Sequence, residues 1–162
     1  MDAEVTAAAK RVIDLCIARK LTVATVESCT GGLVAGALTE IAGSSAVVLC
    51  GFVTYSNEAK QSMVDVPAAT IAVHGAVSRE TATAMAQGAL AKSPASLSIA
   101  ITGVAGPGGG SPQKPVGLVQ FAAARRGGAV TAREERFGDI GRGEVRRRSV
   151  LVALAMLEEL AR

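Results

Sequence analysis

Helical and strand periodicities alternate along this chain, and that alternation restricts it to a layered α/β architecture. Apolar residues at 5, 8, 9, 12, 13, 16 and 17 recur at helical spacing and predict a first helix over about 3–19. The β-branched run Leu21–Val26 reads as a strand, and Leu33–Ile41 as a second helix. Ala46–Tyr55 is the next strand, followed by a short helix over Ser56–Lys60 with Ser56 as its cap. Pro67 opens a further helical turn, and Ser78 caps a helix over about 79–92. Leu97–Thr102 is a strand; Val116–Ala124 and Ala129–Phe137 pair as a hairpin around Arg125-Arg126-Gly127-Gly128. Glu144–Leu160 forms the last helix, with Leu151, Leu154, Leu157 and Leu160 on one side. The pattern predicts an α/β fold of three layers: a sheet of mixed strand directions ending in a C-terminal hairpin, with helices on both faces. No repeat or linker interrupts it, so a single domain over 1–162 is expected.

Composition narrows the function. Three Phe, one Tyr and no Trp leave little for stacking on bases, and a net charge of +3 is weak for a polyanion binder. No nucleic-acid partner is expected. The 31 alanines instead favour close approach of backbone elements. The N-terminus carries Asp2, Glu4, Lys10 and Arg11, which leaves no signal-peptide core, and no apolar run approaches the ~20 residues of a membrane span. Cysteines at 16, 29 and 50 are sparse and odd in number, which argues against a disulfide framework and for a reducing cytoplasm. Their spacing with the only histidine, His74, resembles no metal site, and His74 reads as a structural residue of the turn 74–78.

Three segments join strand ends to polar or glycine-rich backbone, where ligands of open α/β sheets bind. In Glu27-Ser28-Cys29-Thr30-Gly31-Gly32, the strand-to-helix turn puts Ser28 beside helix N-terminal amides able to hold an anion or a developing oxyanion. Gly31 and Gly32 allow a substrate close to the backbone. The plainer alternative is that Ser28 or Thr30 simply caps the helix. In Tyr55-Ser56-Asn57-Glu58-Ala59-Lys60, a cap at Ser56 makes Tyr55 and Lys60 the two positions of a hydrophobic staple, phenol beside ammonium. A partly desolvated lysine there would become a proton acceptor near neutrality; an exposed lysine covering the ring is the alternative. The third segment runs from Thr102 through Gly103, Gly106 and Gly110 to Pro115. It fits neither the P-loop nor the dinucleotide fingerprint, leaving a ligand-wrapping loop, a lid or a mobile surface loop. Arg142 and Arg146 share a helix face and could grip a phosphate, whereas Arg147 and Arg148 point elsewhere into solvent.

In this order the segments 27–32, 51–60, 74–78, 102–107 and Lys114-Pro115-Val116-Gly117 resemble the CinA C-terminal domain family, over nearly the whole chain. The resemblance implies a nicotinamide-nucleotide amidohydrolase that converts nicotinamide mononucleotide (NMN) to nicotinate mononucleotide and ammonia without metal or cofactor. It also implies the stand-alone form rather than the second half of a two-domain protein. It places the family's catalytic serine on Ser28, its tyrosine on Tyr55 and its lysine on Lys60. The family's essential arginine lies in a Gly-Asp-Arg stretch before the last helix, which here reads Gly138-Asp139-Ile140-Gly141-Arg142, with two residues inserted; Arg142 is favoured over Arg146. Asn57, Thr102, Gly103 and Gly106 join Thr30, Gly31 and Gly32 as expected substrate contacts. A non-catalytic ligand- or partner-binding module linked to competence or DNA damage is the competing reading. An alanine-rich last helix suggests a homodimer or higher oligomer.

Overall fold

The computed structural model describes all residues, Met1–Arg162. Its elements in chain order are α1 (Ala3–Arg19), β1 (Val23–Glu27), α2 (Leu33–Thr39), β2 (Val48–Val53), α3 (Asn57–Val64), α4 (Ala68–His74), α5 (Arg79–Ala91), β3 (Leu97–Gly103), β4 (Leu118–Arg125), β5 (Val130–Arg136) and α6 (Arg142–Ala161). One sheet runs in the order β2-β1-β3-β4-β5. β1 is parallel to both β2 and β3, while β3–β4 and β4–β5 are antiparallel. The α/β architecture with helices on both faces and a C-terminal hairpin is therefore as expected.

Strand alternation sorts the core onto two faces. Val23, Leu97, Ile99, Ile101 and Phe121 pack with residues of α1, α2 and α6. Ala24, Val26, Ala100, Ala122 and Ala124 face the other way, against Ala82, Met85, Ala86 and Ala89 of α5. On this second face both layers are alanine-rich, so helix and sheet backbones lie close together. Ser98 of β3 uses that proximity, donating its hydroxyl to the Ala86 carbonyl at 2.7 Å.

Element ends differ from expectation by a few residues, each for a local reason. Leu21 belongs to the end of α1: Lys20 is left-handed (φ 55°), and the Leu21 amide donates to Cys16. β1 thus starts at Val23. β2 starts at Val48 because Ser44–Ala46 forms a 3₁₀ turn. β4 starts at Leu118 because Gly117 turns at φ 90° and its amide returns to Val104. A Cβ on Gly117 would lie 2.2 Å from the Gly138 carbonyl oxygen, so only glycine lets these two loops pass. α6 begins two residues early, which puts Arg142 at its first position. The expected caps are present, with Ser56 accepting from the Ala59 amide (3.0 Å) and Ser78 from the Thr81 amide (3.1 Å).

Candidate active site

The parallel strands β2, β1 and β3 end side by side, and the chain leaving each contributes to one cavity. Its volume is about 210 Å³, and its walls include Ser28, Cys29, Tyr55, Lys60, Thr102 and Arg142, with Ala76, Val77 and Ala105 as an apolar part. Asn57 and Gly103 line it as well.

Ser28 follows β1 directly. Its amide donates to Ile101 of β3 at 2.9 Å, which extends the sheet by one bond and fixes the serine backbone at the strand's end. Lys60 lies one turn into α3, on the face turned toward β1. It is the largest fully buried side chain in the molecule, 1% exposed. Its Nζ donates to the Thr54 carbonyl at 2.9 Å and to Ser28 Oγ at 3.2 Å. Burial lowers its pKa from the ordinary 10.5, because desolvation penalises the charged amine. The pair has what an amine needs to accept a hydroxyl proton: contact distance and a shift toward the neutral form.

Tyr55 and Lys60 part company despite their staple positions. Lys60 turns inward, while Tyr55 is 62% exposed and its hydroxyl accepts from Arg142 Nη2 at 3.1 Å. Arg142 also donates to the Gly106 carbonyl at 3.0 Å, tying α6 to the glycine-rich loop at the cavity's rim. That loop is pinned rather than free. The Val104 amide donates to Leu118, the Ser111 amide to Lys114, and Lys114 Nζ reaches the His74 carbonyl at 2.5 Å. Thr102 anchors the facing wall through Oγ1 to the Ala76 carbonyl, 2.8 Å.

The turn 28–32 departs from expectation in its electrostatics. Neither Ser28 nor Thr30 caps α2; the cap position is Gly32, which has no side chain to do so. The cap is Glu27, the last residue of β1. Its buried carboxylate accepts from the amides of Gly32 (3.1 Å), Val34 (3.1 Å) and Ala35 (2.9 Å). The start of α2 is thereby occupied by the protein's own anion and is closed to a ligand's. Sequence reasoning missed this role. The available signal was a carboxylate closing a strand just ahead of a helix with glycine at its cap.

The Thr30 side chain, Gly31 and Gly32 accordingly stand behind the cavity rather than on its wall, and the same holds for Arg146. Its Nε donates to the Cys29 carbonyl and its Nη2 to the Thr30 carbonyl, each at 3.1 Å. Arg142 alone of the two faces the cavity. Arg147 is not simply solvated, since it pairs with Asp2 and Glu4 at the start of α1. Cys29 borders the cavity, but burial pushes its thiol up to about 12, so it stays protonated and inert beside the serine.

The fold and site together define an α/β protein with a buried serine–amine pair at the carboxyl ends of its parallel strands. The CinA C-terminal domain family model matches residues 5–161, and the chain belongs to that family. The nicotinamide-nucleotide amidohydrolase PncC of Escherichia coli (strain K12) is 50% identical over 157 residues, covering 96% of this chain and 94% of that protein. A CinA-like protein of Chlorobaculum tepidum is 47% identical over 157 residues. There the alignment takes in 91% of this chain and only 37% of the relative, so the chain spans about a third of such longer proteins. The crystal structure of the competence/damage inducible protein CihA from Agrobacterium tumefaciens is 54% identical and superposes with a TM-score of 0.98 over 100% of this chain and 98% of that one.

Proposed function

We propose that residues 1–162 act as one amidohydrolase unit that converts NMN and water to nicotinate mononucleotide and ammonia, with Ser28 as nucleophile and Lys60 as base. The observation that carries the reading is the buried Lys60 amine 3.2 Å from Ser28 Oγ, in a chain half identical to PncC over nearly its full length. Carboxamides resist direct attack by water, and a covalent intermediate divides the barrier. Ser28 Oγ attacks the carboxamide carbon and its proton passes to neutral Lys60. The tetrahedral intermediate collapses as the nitrogen takes that proton from Lys60 and leaves as ammonia. Water then attacks the acyl carbon, giving a proton to Lys60, and the acid leaves as Ser28 Oγ takes that proton back; the acid ionises to the carboxylate in solution.

The remaining groups divide the substrate between them. Ala76, Val77 and Ala105 offer an apolar wall to a flat pyridine ring. Tyr55, at the mouth, donates to or relays a proton for the leaving nitrogen. Arg142 is exposed at that same mouth, where a guanidinium can meet the phosphate without being buried. Asn57 and Thr102 face the space between. No step calls on a metal or cofactor. No helix is long and apolar enough to cross a membrane, which suits a small polar substrate taken from solution.

The test is ammonia release from NMN by the purified protein beside Ser28→Ala and Lys60→Ala. Turnover is expected in the native chain, unchanged by EDTA, with each variant slower by at least ~10²-fold and its circular dichroism spectrum retained. An active Lys60→Ala removes the lysine from the base role. A native chain that binds NMN without turnover makes it a ligand-binding module instead.

A further inference from the structure

The turn that follows Ser28 has almost no free hydrogen-bond donors. Between residues 28 and 35, the Ser28 amide is spent on Ile101, Gly31 on Ser28 and Leu33 on Thr30. Gly32, Val34 and Ala35 are spent on Glu27. Only the amides of Cys29 and Thr30 have no acceptor in another residue.

Their direction is set from behind. In a trans peptide the C=O and the following N–H point to opposite sides of the chain. The Cys29 carbonyl points at Arg146 Nε, so the Thr30 amide in the same peptide points away from it. Ser28 and Cys29 line the cavity, whereas the Thr30 side chain and Arg146 do not, so an amide turned away from Arg146 is turned to the side of the chain on which Ser28 and Cys29 meet the cavity. The Ser28 carbonyl, held by the Gly31 amide, orients the Cys29 amide by the same rule. Arg146 leaves α6 between Val145 and Ser149, both buried, so its base is set by core packing.

We propose that Arg146 is a positioning residue: gripping the Cys29 and Thr30 carbonyls from behind the turn, it aims the Thr30 and Cys29 amides at the oxyanion that forms when Ser28 attacks. The inference rests on Ser28 being the nucleophile. It gives Arg146 a task unlike phosphate binding, and one that a lysine cannot perform. A planar fork holds two carbonyls in fixed relation, whereas an ammonium is a single rotatable point. Drawing the Cys29 carbonyl toward a cation also polarises its peptide and strengthens the Thr30 N–H as a donor.

Arg146→Gln, Arg146→Lys and Arg146→Ala are compared with the native chain in two assays. The first measures kcat and KM with NMN. The second follows acylation of Ser28 by p-nitrophenyl acetate, read as p-nitrophenolate release and as the mass of the acetyl-protein, with Ser28→Ala as blank. In acylation the serine oxygen bonds to the ester carbon, p-nitrophenolate leaves and Lys60 takes the serine proton, so the same oxyanion forms without NMN.

All three variants are expected to lose ~10²-fold or more in kcat and in acylation rate, the usual cost of misplacing an oxyanion donor, with KM nearly unchanged. Added guanidinium ion should restore part of the rate to Arg146→Ala and none to Ser28→Ala. Arg146→Lys keeps charge and bulk, and guards against a loss due to unfolding alone. A full-rate Arg146→Lys, or a loss confined to KM, overturns the proposal, the latter pointing to a substrate contact. If the native chain ignores NMN but its Ser28 still acylates in an Arg146-dependent way, the positioning role stands and the substrate assignment falls. If Ser28 is never acylated, both fall.

Discussion

Burying Lys60 carries an electrostatic cost, and that cost is what would suit it to the role of base. An amine with no exposed surface to speak of, satisfied by the Thr54 carbonyl and a serine hydroxyl, loses hydration that neither neutral partner fully replaces. Its pKa in the folded chain therefore lies below the unfolded 10.5. Between those two values the unfolded chain binds a proton that the folded one has released, so stability rises with pH through that window. Below it, both states hold the proton and the full penalty remains. Thermal melts should accordingly show the native protein gaining on Lys60→Met as pH increases from neutrality. The same ionisation should appear as the acid limb of kcat/KM for NMN, rising to a plateau with a midpoint under 10.5 that is absent from the residual rate of Lys60→Met. A stability difference that does not change with pH would mean that the amine is charged in the folded state and cannot serve as the base.

Between α3, which carries Lys60, and α5, the decisive contact is a glycine. A Cβ on Gly88 would lie 1.8 Å from the Val64 carbonyl oxygen, so α5 meets the end of α3 backbone to backbone. Gly88→Ala must push the two helices apart, at a cost of about 1–3 kcal/mol by the usual penalty for overpacking. Because α3 moves with it, kcat on NMN should fall along with the melting temperature. A variant as stable as the native chain would mean that α3 yields without penalty. Gly88 also marks what the sequence conceals. The helices, strands and caps at Ser56 and Ser78 are legible because each depends on neighbours within a few positions. Ser28 and Tyr55 are legible as strand-end residues and Lys60 as a residue of the helix that follows, and the topology brings their elements to one end of the sheet. What stays hidden depends on partners distant in sequence: Gly88 on Val64, Arg146 on a turn more than a hundred residues earlier, and the Arg142–Tyr55 contact across the cavity. Glu27 is a subtler case, since its partners are near but lie on the next helix, where a glycine cap leaves no side chain to announce the need.

The sheet separates the candidate site from its support along its length. Ser28, Tyr55, Thr102 and the start of α6 gather where β1, β2 and β3 end, whereas the β4–β5 turn and the end of α5 lie at the other end, about 20 Å away along six residues of strand. Arg126 organises that far end. Its Nη2 donates to the Leu90 and Ser93 carbonyls at 2.5 and 2.6 Å, and its Nε to the Ala95 carbonyl at 3.0 Å. These close the last turn of α5 and the entry to β3 with one guanidinium, because the final carbonyls of a helix have no partners within it. Arg126→Ala strips those carbonyls of their protein donor but leaves them partly hydrated at the surface. A loss of about 1–2 kcal/mol is expected, since each bond to a charged donor can exchange for water. Two regular elements join this corner to the cavity: α5, which packs on α3 at Gly88, and the β3 ladder, which keeps its register with β1 and β4 from Leu97 to Ile101. Neither is strained by loss of hydrogen bonds at its far end. Arg126→Ala should therefore lower the denaturation midpoint while kcat and KM for NMN, measured well below it, stay at native values. A fall in kcat at temperatures where the variant is fully folded would show that the two ends of the sheet are coupled, and that α5 or β3 transmits strain to Lys60 or Thr102 rather than isolating them.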